Sequence, residues 1–375
     1  MLSLCLAASC RPRPAQPATP EPAPIAAAAP AEAAAPAGPP AEPAAPAATP
    51  APPRPAPPLA GLVLIANKAA AKLDILDGRD GRVLATLPTG TGPHEVAVAP
   101  DARLAVVCNY GEAVPGDSLT VVDLKTRAVA RTIALGEHRR PHGVAFVPGR
   151  PGVVAVTSET SQALLLVDVA RGAVLAAIPT EQKGSHMLAL GADGKRGFTA
   201  NIGDGSVSEL DLARRKHLRS VPVAAKAEAI ALSPDGAQLW VGSNEANTVT
   251  VLDTATWKPL AVLPAEVLPI RVALARDGRF AVVSEALSGE LRIFDARRHE
   301  LRAAVKLPLD MADAPEGPGD SPVPLGIALV DAPALALVSE ARSGRVAVVD
   351  LEAAALLGYF VVEPGIDGIA WAPGA

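Results

Sequence analysis

PHEVAVAPD (93–101), LAVVCN (104–109), LTVVD (119–123) and AVARTIAL (128–135) are the four consecutive runs that decide the fold. Each is short, rich in valine, isoleucine or alanine, and separated from the next by proline, glycine or aspartate. Each therefore reads as a strand. The third run ends in an aspartate, and that signature returns along the chain: LDILD at Asp77, LTVVD at Asp123, LLLVD at Asp168, VSELD at Asp211, VTVLD at Asp253, LRIFD at Asp295 and VAVVD at Asp350. Successive aspartates lie 46, 45, 43, 42, 42 and 55 residues apart. A steady period of this size belongs to repeat architectures. A four-stranded unit cannot bury its own faces and must stack on its neighbours, which predicts a β-propeller. The aspartates need no functional role, because a carboxylate at a strand end accepts N–H groups of the following turn.

The two ends of the repeat check the count. It opens with a second-strand segment, LVLIAN (62–67), that has no first strand before it, and closes with a lone first-strand segment, GIAWAP (368–373). Joining them completes a blade and leaves none over. The expected fold is all-β: a seven-bladed β-propeller over 61–375, closed by N-terminal strands pairing with the C-terminal inner strand. Closure removes the sheet edges that would otherwise invite aggregation.

The chain has 375 residues, 49% of them hydrophobic, enough for two ordinary domains. The unbroken repeat makes it one. Net charge is −5 and aromatics are 3%, which argues against a nucleic-acid footprint or a base-stacking platform. Of Cys5, Cys10 and Cys108, only Cys108 falls in the repeat, so a disulfide within the propeller is excluded and a small buried core residue is expected. Residues 1–10, MLSLCLAASC, resemble the end of a bacterial lipoprotein signal, with small residues ahead of Cys10 as the lipidated position. No basic residue precedes the apolar stretch, which is short for a signal core. Residues 11–60 are almost all proline and alanine and read as a disordered, extended tether. The resulting expectation is a lipid-anchored periplasmic or cell-surface protein, with cytoplasmic residence as the alternative. No apolar run reaches the roughly 18 residues that a spanning helix needs.

PHEVAVAPD, PHGVAFVPG (141–149) and AIALSPDG (229–236), with VCNYG, TANIGDGSV and GSNEANTVTVLDT, resemble the YVTN-type seven-bladed propellers of bacterial and archaeal extracytoplasmic proteins. The resemblance covers 61–375. It departs from the family pattern where VTSE, VSEA and VSEA place Glu159, Glu285 and Glu340 at positions usually held by Asn. It implies the fold strongly and the activity weakly, because this class mixes binding scaffolds, lactonase-type enzymes and subunits of quinoprotein amine dehydrogenases.

Strand direction puts the loops between blades on the same face as the loops joining second to third strands. That face carries the length variation: YGEAVPGDS (110–118), GEHRRP (136–141), TEQKGS (180–185) and LDMADAPEGPGDSPVP (309–324). Insertions confined to one face often mark a binding face. At the start of the inner strands on that face, aligned repeats place His94, His142, His186, Glu228, Ile270, Leu325 and Asp367. The second-strand ends beside them are aligned as Asn67, Asn109, Glu159, Asn201, Asn244, Glu285 and Glu340, and Arg271 is positioned to pair with Glu285. His94, His142, His186 and Glu228 are a sensible ligand set for one divalent transition metal, Zn or similar, with an open position to polarise a carbonyl or activate water. The alternatives are contact with a polar ligand without metal, or histidines that pin the blade junctions. His217 and His299 read as solvated turn residues. His138, Arg139 and Arg140 read as solvated loop charge, with attraction of an anion as the other option.

No G-x-S-x-G elbow, H-E-x-x-H, P-loop, G-x-G-x-x-G turn or C-x-x-C-H is present. The reading is a monomeric binding or scaffolding module whose mouth takes a protein or a small polar ligand. A metal-dependent hydrolase, lactonase or lyase is the first alternative. A partner subunit of a periplasmic redox enzyme is the second.

Overall fold

The structure, a computed structural model, describes residues 55–309, 317 and 319–374. The leader-like segment, Cys10, the tether up to residue 54, and 310–316 and 318 of the acidic insertion lie outside the described residues. The described chain forms 28 strands in seven four-stranded antiparallel sheets, with no helix among the described residues. We number the blades 1 to 6 from their inner strands, Pro93–Val98, Pro141–Phe146, Ser185–Leu190, Ala227–Leu232, Pro269–Leu274 and Pro324–Val330. Blade 7 takes its inner strand, Ile366–Pro373, from the C-terminus and its other three strands from 61–88. Gly61–Asn67 pairs with Ile366–Pro373, Leu64 standing opposite Ala370, and this closes the ring as the sequence implies.

The strands next to the inner ones are buried on both faces, which explains their continuous apolar runs. In Gly61–Asn67, side chains alternate between two cores, as period-2 geometry demands. Leu62, Leu64 and Ala66 pack with Val96, Ala105 and Val107 of blade 1. Val63 and Ile65 pack with Val346, Val348 and Phe360 of blade 6. The same division recurs at every junction, so one apolar core lies between each neighbouring pair of blades. Cys108 is fully buried in the core between blades 1 and 2. Upstream of blade 7, Pro55 bridges Tyr359 on the outermost strand of blade 6, and Leu59 is buried in the same core.

All seven repeat aspartates cap turns. Asp77, Asp123, Asp168, Asp211, Asp253, Asp295 and Asp350 each accept a backbone N–H two or three residues on. These backbone hydrogen bonds hold Asp123, Asp211, Asp253 and Asp295 below the usual carboxylate range. His217 and His299 sit on the same side but are partly buried rather than solvated. His217 Nε2 meets Ser220 Oγ at 2.9 Å, and His299 Nε2 meets Gln238 Oε1 at 3.2 Å.

Candidate functional site: the charged mouth of the channel

Seven inner strands ring the axis, and their first residues form one mouth. Pairing of inner with second strand is irregular at this end in every blade, for example between Pro93 and Val96 and between Pro141 and Val144. Such bulges re-aim side chains away from the regular pleat. Hydroxyls on the second strands then hold the mouth residues of the next blade. Thr157 donates to the His186 carbonyl, Ser284 to that of Leu325 and Ser339 to that of Asp367. Gly368 lets blade 7 approach blade 1, since a Cβ there would overlap the His94 carbonyl oxygen.

His94, His142 and His186 stack in sequence, with ring centroids 4.1 Å and 3.6 Å apart. His186 donates through Nδ1 to Glu159 at 2.5 Å and through Nε2 to Glu228 at 2.8 Å. The Tyr110 hydroxyl donates to the other oxygen of Glu159 at 2.8 Å, and Asn244 donates to the other oxygen of Glu228 at 3.1 Å. Arg271 of blade 5 reaches Glu228 of blade 4 at 3.4 Å and crosses the channel to Glu95 of blade 1. Asp367 lies 3.4 Å from His94 Nδ1 and 3.6 Å from Lys68. His142 is completely buried, and neither ring nitrogen has a hydrogen-bond partner; His94 Nδ1 also lacks one.

The network sorts its protons by environment. Burial opposes charge on His186, but Glu228 and Glu159 outweigh it and raise the imidazolium to about 10. Burial likewise opposes Glu228, yet His186 and Arg271 bring it down to about 2. Burial pushes His94 down to about 3 despite Asp367, and burial with the cationic neighbours pushes His142 well below its usual value. The mouth therefore holds one charged imidazole and two neutral ones.

The structure gathers His94, His142, His186, Glu228, Glu159, Asn244, Arg271 and Asp367. It does not bring Asn109, Asn201, Glu285 or Glu340 to the mouth. Their partners across the sheet are Pro93, Ser185, Pro269 and Pro324, whereas blade 2 pairs Pro141 with Ser158 and blade 4 pairs Ala227 with Ser243. Glu159 and Asn244 are thus one residue beyond the aligned position, and a one-residue slip in a strand reverses the face. Asn109 bonds Ser118 and Thr120, and Asn201 bonds Ser206 and Ser208, so both staple the second strand to the third. Asn67 accepts from Ala70 N and donates to the Pro364 carbonyl. Arg271 does not pair with Glu285, which lies 3.1 Å from Arg292. The corrected position adds Lys68 and Tyr110 to the site, and the inner strand adds Glu95. The loop trio is engaged locally: His138 with Ser161, Arg139 with Asp117, and Arg140 with the Glu112 carbonyl and the Tyr110 ring.

Glu340 is fully buried against Arg345 and Ser343, and burial raises it to about 7 in spite of the arginine. A carboxyl raised on folding lends stability that is complete below its unfolded value and is lost as pH rises through 7. The gap corresponds to about 3 kcal/mol at most. Glu340→Gln is therefore expected to raise the melting temperature at pH 8 and to change it little at pH 4.5. A variant equally destabilised at both values would contradict this.

Blades 5 and 6 complete the mouth with apolar residues. Ile270, Leu325 and Leu268 pack on Val323, Ala286 and Ala341, and Ser321 donates to the Ala286 carbonyl. The mouth is thus divided between a charged, histidine-lined part and an apolar part.

The chain is a seven-bladed β-propeller with a buried ionic network at one mouth. Among solved structures, 1770 chains resemble it, so the fold is widespread and does not itself select a function. One is a chain of hydrazine synthase from Kuenenia stuttgartiensis, aligned over 79% of this chain and 91% of that one at 19% identity, with a TM-score of 0.61. No family model and no curated protein matches.

Proposed function

We propose that this is an extracytoplasmic binding module of the YVTN type, held by lipid on Cys10 through its Pro/Ala tether, whose mouth takes a small polar ligand. The observation that supports it most is the ionic network itself. Glu228, Arg271, His186 and Asp367 are nearly buried, with relative exposures of 5–7%. Burying charge tends to cost stability, and apolar cores already join the blades, so folding does not require this network. Convergent polar groups beside an apolar wall are what a small-molecule site needs. The test is thermal unfolding in the presence of sugars, amino acids, hydroxy acids and nucleosides. A ligand at a hundred times its Kd adds about 2.7 kcal/mol, and Tyr110→Phe should diminish its shift. Absence of any shift across the panel would count against the reading.

A second reading, a subunit of a redox assembly, takes its class from the likeness to hydrazine synthase. It draws on Val114, 80% exposed at a hairpin tip on the mouth face, with Val267 and Leu287 also exposed on that face. Val114→Glu should then abolish co-purification of a native partner while leaving solute binding intact.

A further inference from the structure

We infer that the mouth holds one divalent first-row transition metal ion between His94, Glu95 and His142. This rests on the mouth being the binding site and names what it binds. The ligand atoms of these three residues all lie within 4.8 Å of one another. Donors at about 2.1 Å from a shared ion stand about 3.4 Å apart in a tetrahedral set, so the three side chains are close enough to draw in around one ion. His142 offers two nitrogens, both buried and without partners, and His94 offers Nδ1, also without one. A buried polar atom left unsatisfied is destabilising, and coordination removes that cost.

The donor set differs from the three histidines and Glu228 expected from the aligned repeats. His186 and Glu228 are engaged with each other, and Glu228 also meets Arg271, so neither has a free donor. The second trio, His142, Glu159 and His186, is similarly close, but Glu159 is shared between Tyr110 and His186. Among the described residues, His94, Glu95 and His142 form the trio in which both histidines offer an unsatisfied nitrogen.

Arg271 on Glu95 would orient that ligand, the supporting role that partners of metal ligands usually play, while Asp367, 3.4 Å from the same His94 Nδ1, adds negative charge beside the ion. Four carboxylates, Glu95, Glu159, Glu228 and Asp367, still outnumber the three cations Arg271, Lys68 and charged His186, which favours a cation. Two imidazoles and one carboxylate suit zinc and its neighbours. Three protein ligands leave a coordination position for a polar ligand.

The experiment titrates the chelator-treated full chain with Zn2+ by calorimetry and with Co2+ by visible absorbance. One ion per chain is expected, with a Co2+ ligand-field band. His142→Ala should weaken Zn2+ binding at least about tenfold. His94→Gln, at a ring that is not fully buried, provides a second variant if the first unfolds, with the same expected loss at unchanged circular dichroism. His299→Ala should bind as the parent does. No saturable Zn2+ binding, or binding indifferent to both variants, overturns the inference. If solutes still shift the melting temperature in that case, the metal alone is refuted; if they do not, the reading of the mouth falls with it.

Discussion

Arg271→Met is expected to destabilise the propeller by about 3–5 kcal/mol, read from the urea midpoint at constant slope. Arg271 is nearly buried and is the cation that joins Glu95 of blade 1 to Glu228 of blade 4 across the channel. Burial works against its charge, but the two carboxylates hold the guanidinium above its usual range. Methionine keeps much of the stem and removes the charge, leaving two carboxylates without their shared partner. Most of the loss should therefore come from the orphaned acids. The double variant Glu95→Gln/Arg271→Met is accordingly expected to recover at least half of it. A single-variant loss below about 1 kcal/mol would show that water already screens this pair.

Ending the chain after Gly365 is expected to abolish cooperative unfolding. Residues Ile366–Pro373 are the whole inner strand of blade 7, and Ile366, Ile369, Ala370 and Ala372 are buried in the cores on either side. Their removal exposes the edge of Gly61–Asn67 and opens the ring between blades 6 and 1. It also removes Asp367 from beside His94. Calorimetry should show no single sharp transition, and a synthetic 366–375 peptide should restore one by refilling the strand position. A truncated chain melting within a few degrees of the parent would mean that the junction contributes little.

How far the sequence could be read differed between the two strands that build the mouth. Inner-strand starts were marked by Pro-His at 93–94 and 141–142, so His94, His142, His186, Glu228 and Asp367 could be aligned from the repeat alone. The second strands carried no such marker. VTSE and VSEA look alike, yet Thr157 corresponds to Ser284 and Ser339, while Glu159 corresponds to Ala286 and Ala341. An acidic residue in each segment drew the alignment one place off. Counting back from the third-strand aspartates separates the two cases where loop lengths agree, and the longer hairpin after Tyr110 hides the correspondence in blade 1.

The sequence alone determined the blade count, the closure and the cap role of the seven aspartates. Those follow from period, strand alternation and turn chemistry, which act over a few residues. Tertiary structure decided which charges meet. Arg271 and Glu95 are 176 residues apart and come together only because the ring folds their inner strands across one channel. The bulges at the strand starts decided which way the histidines face, and the carboxylates Glu159 and Glu228 decided that His186, alone of the three, remains charged against burial.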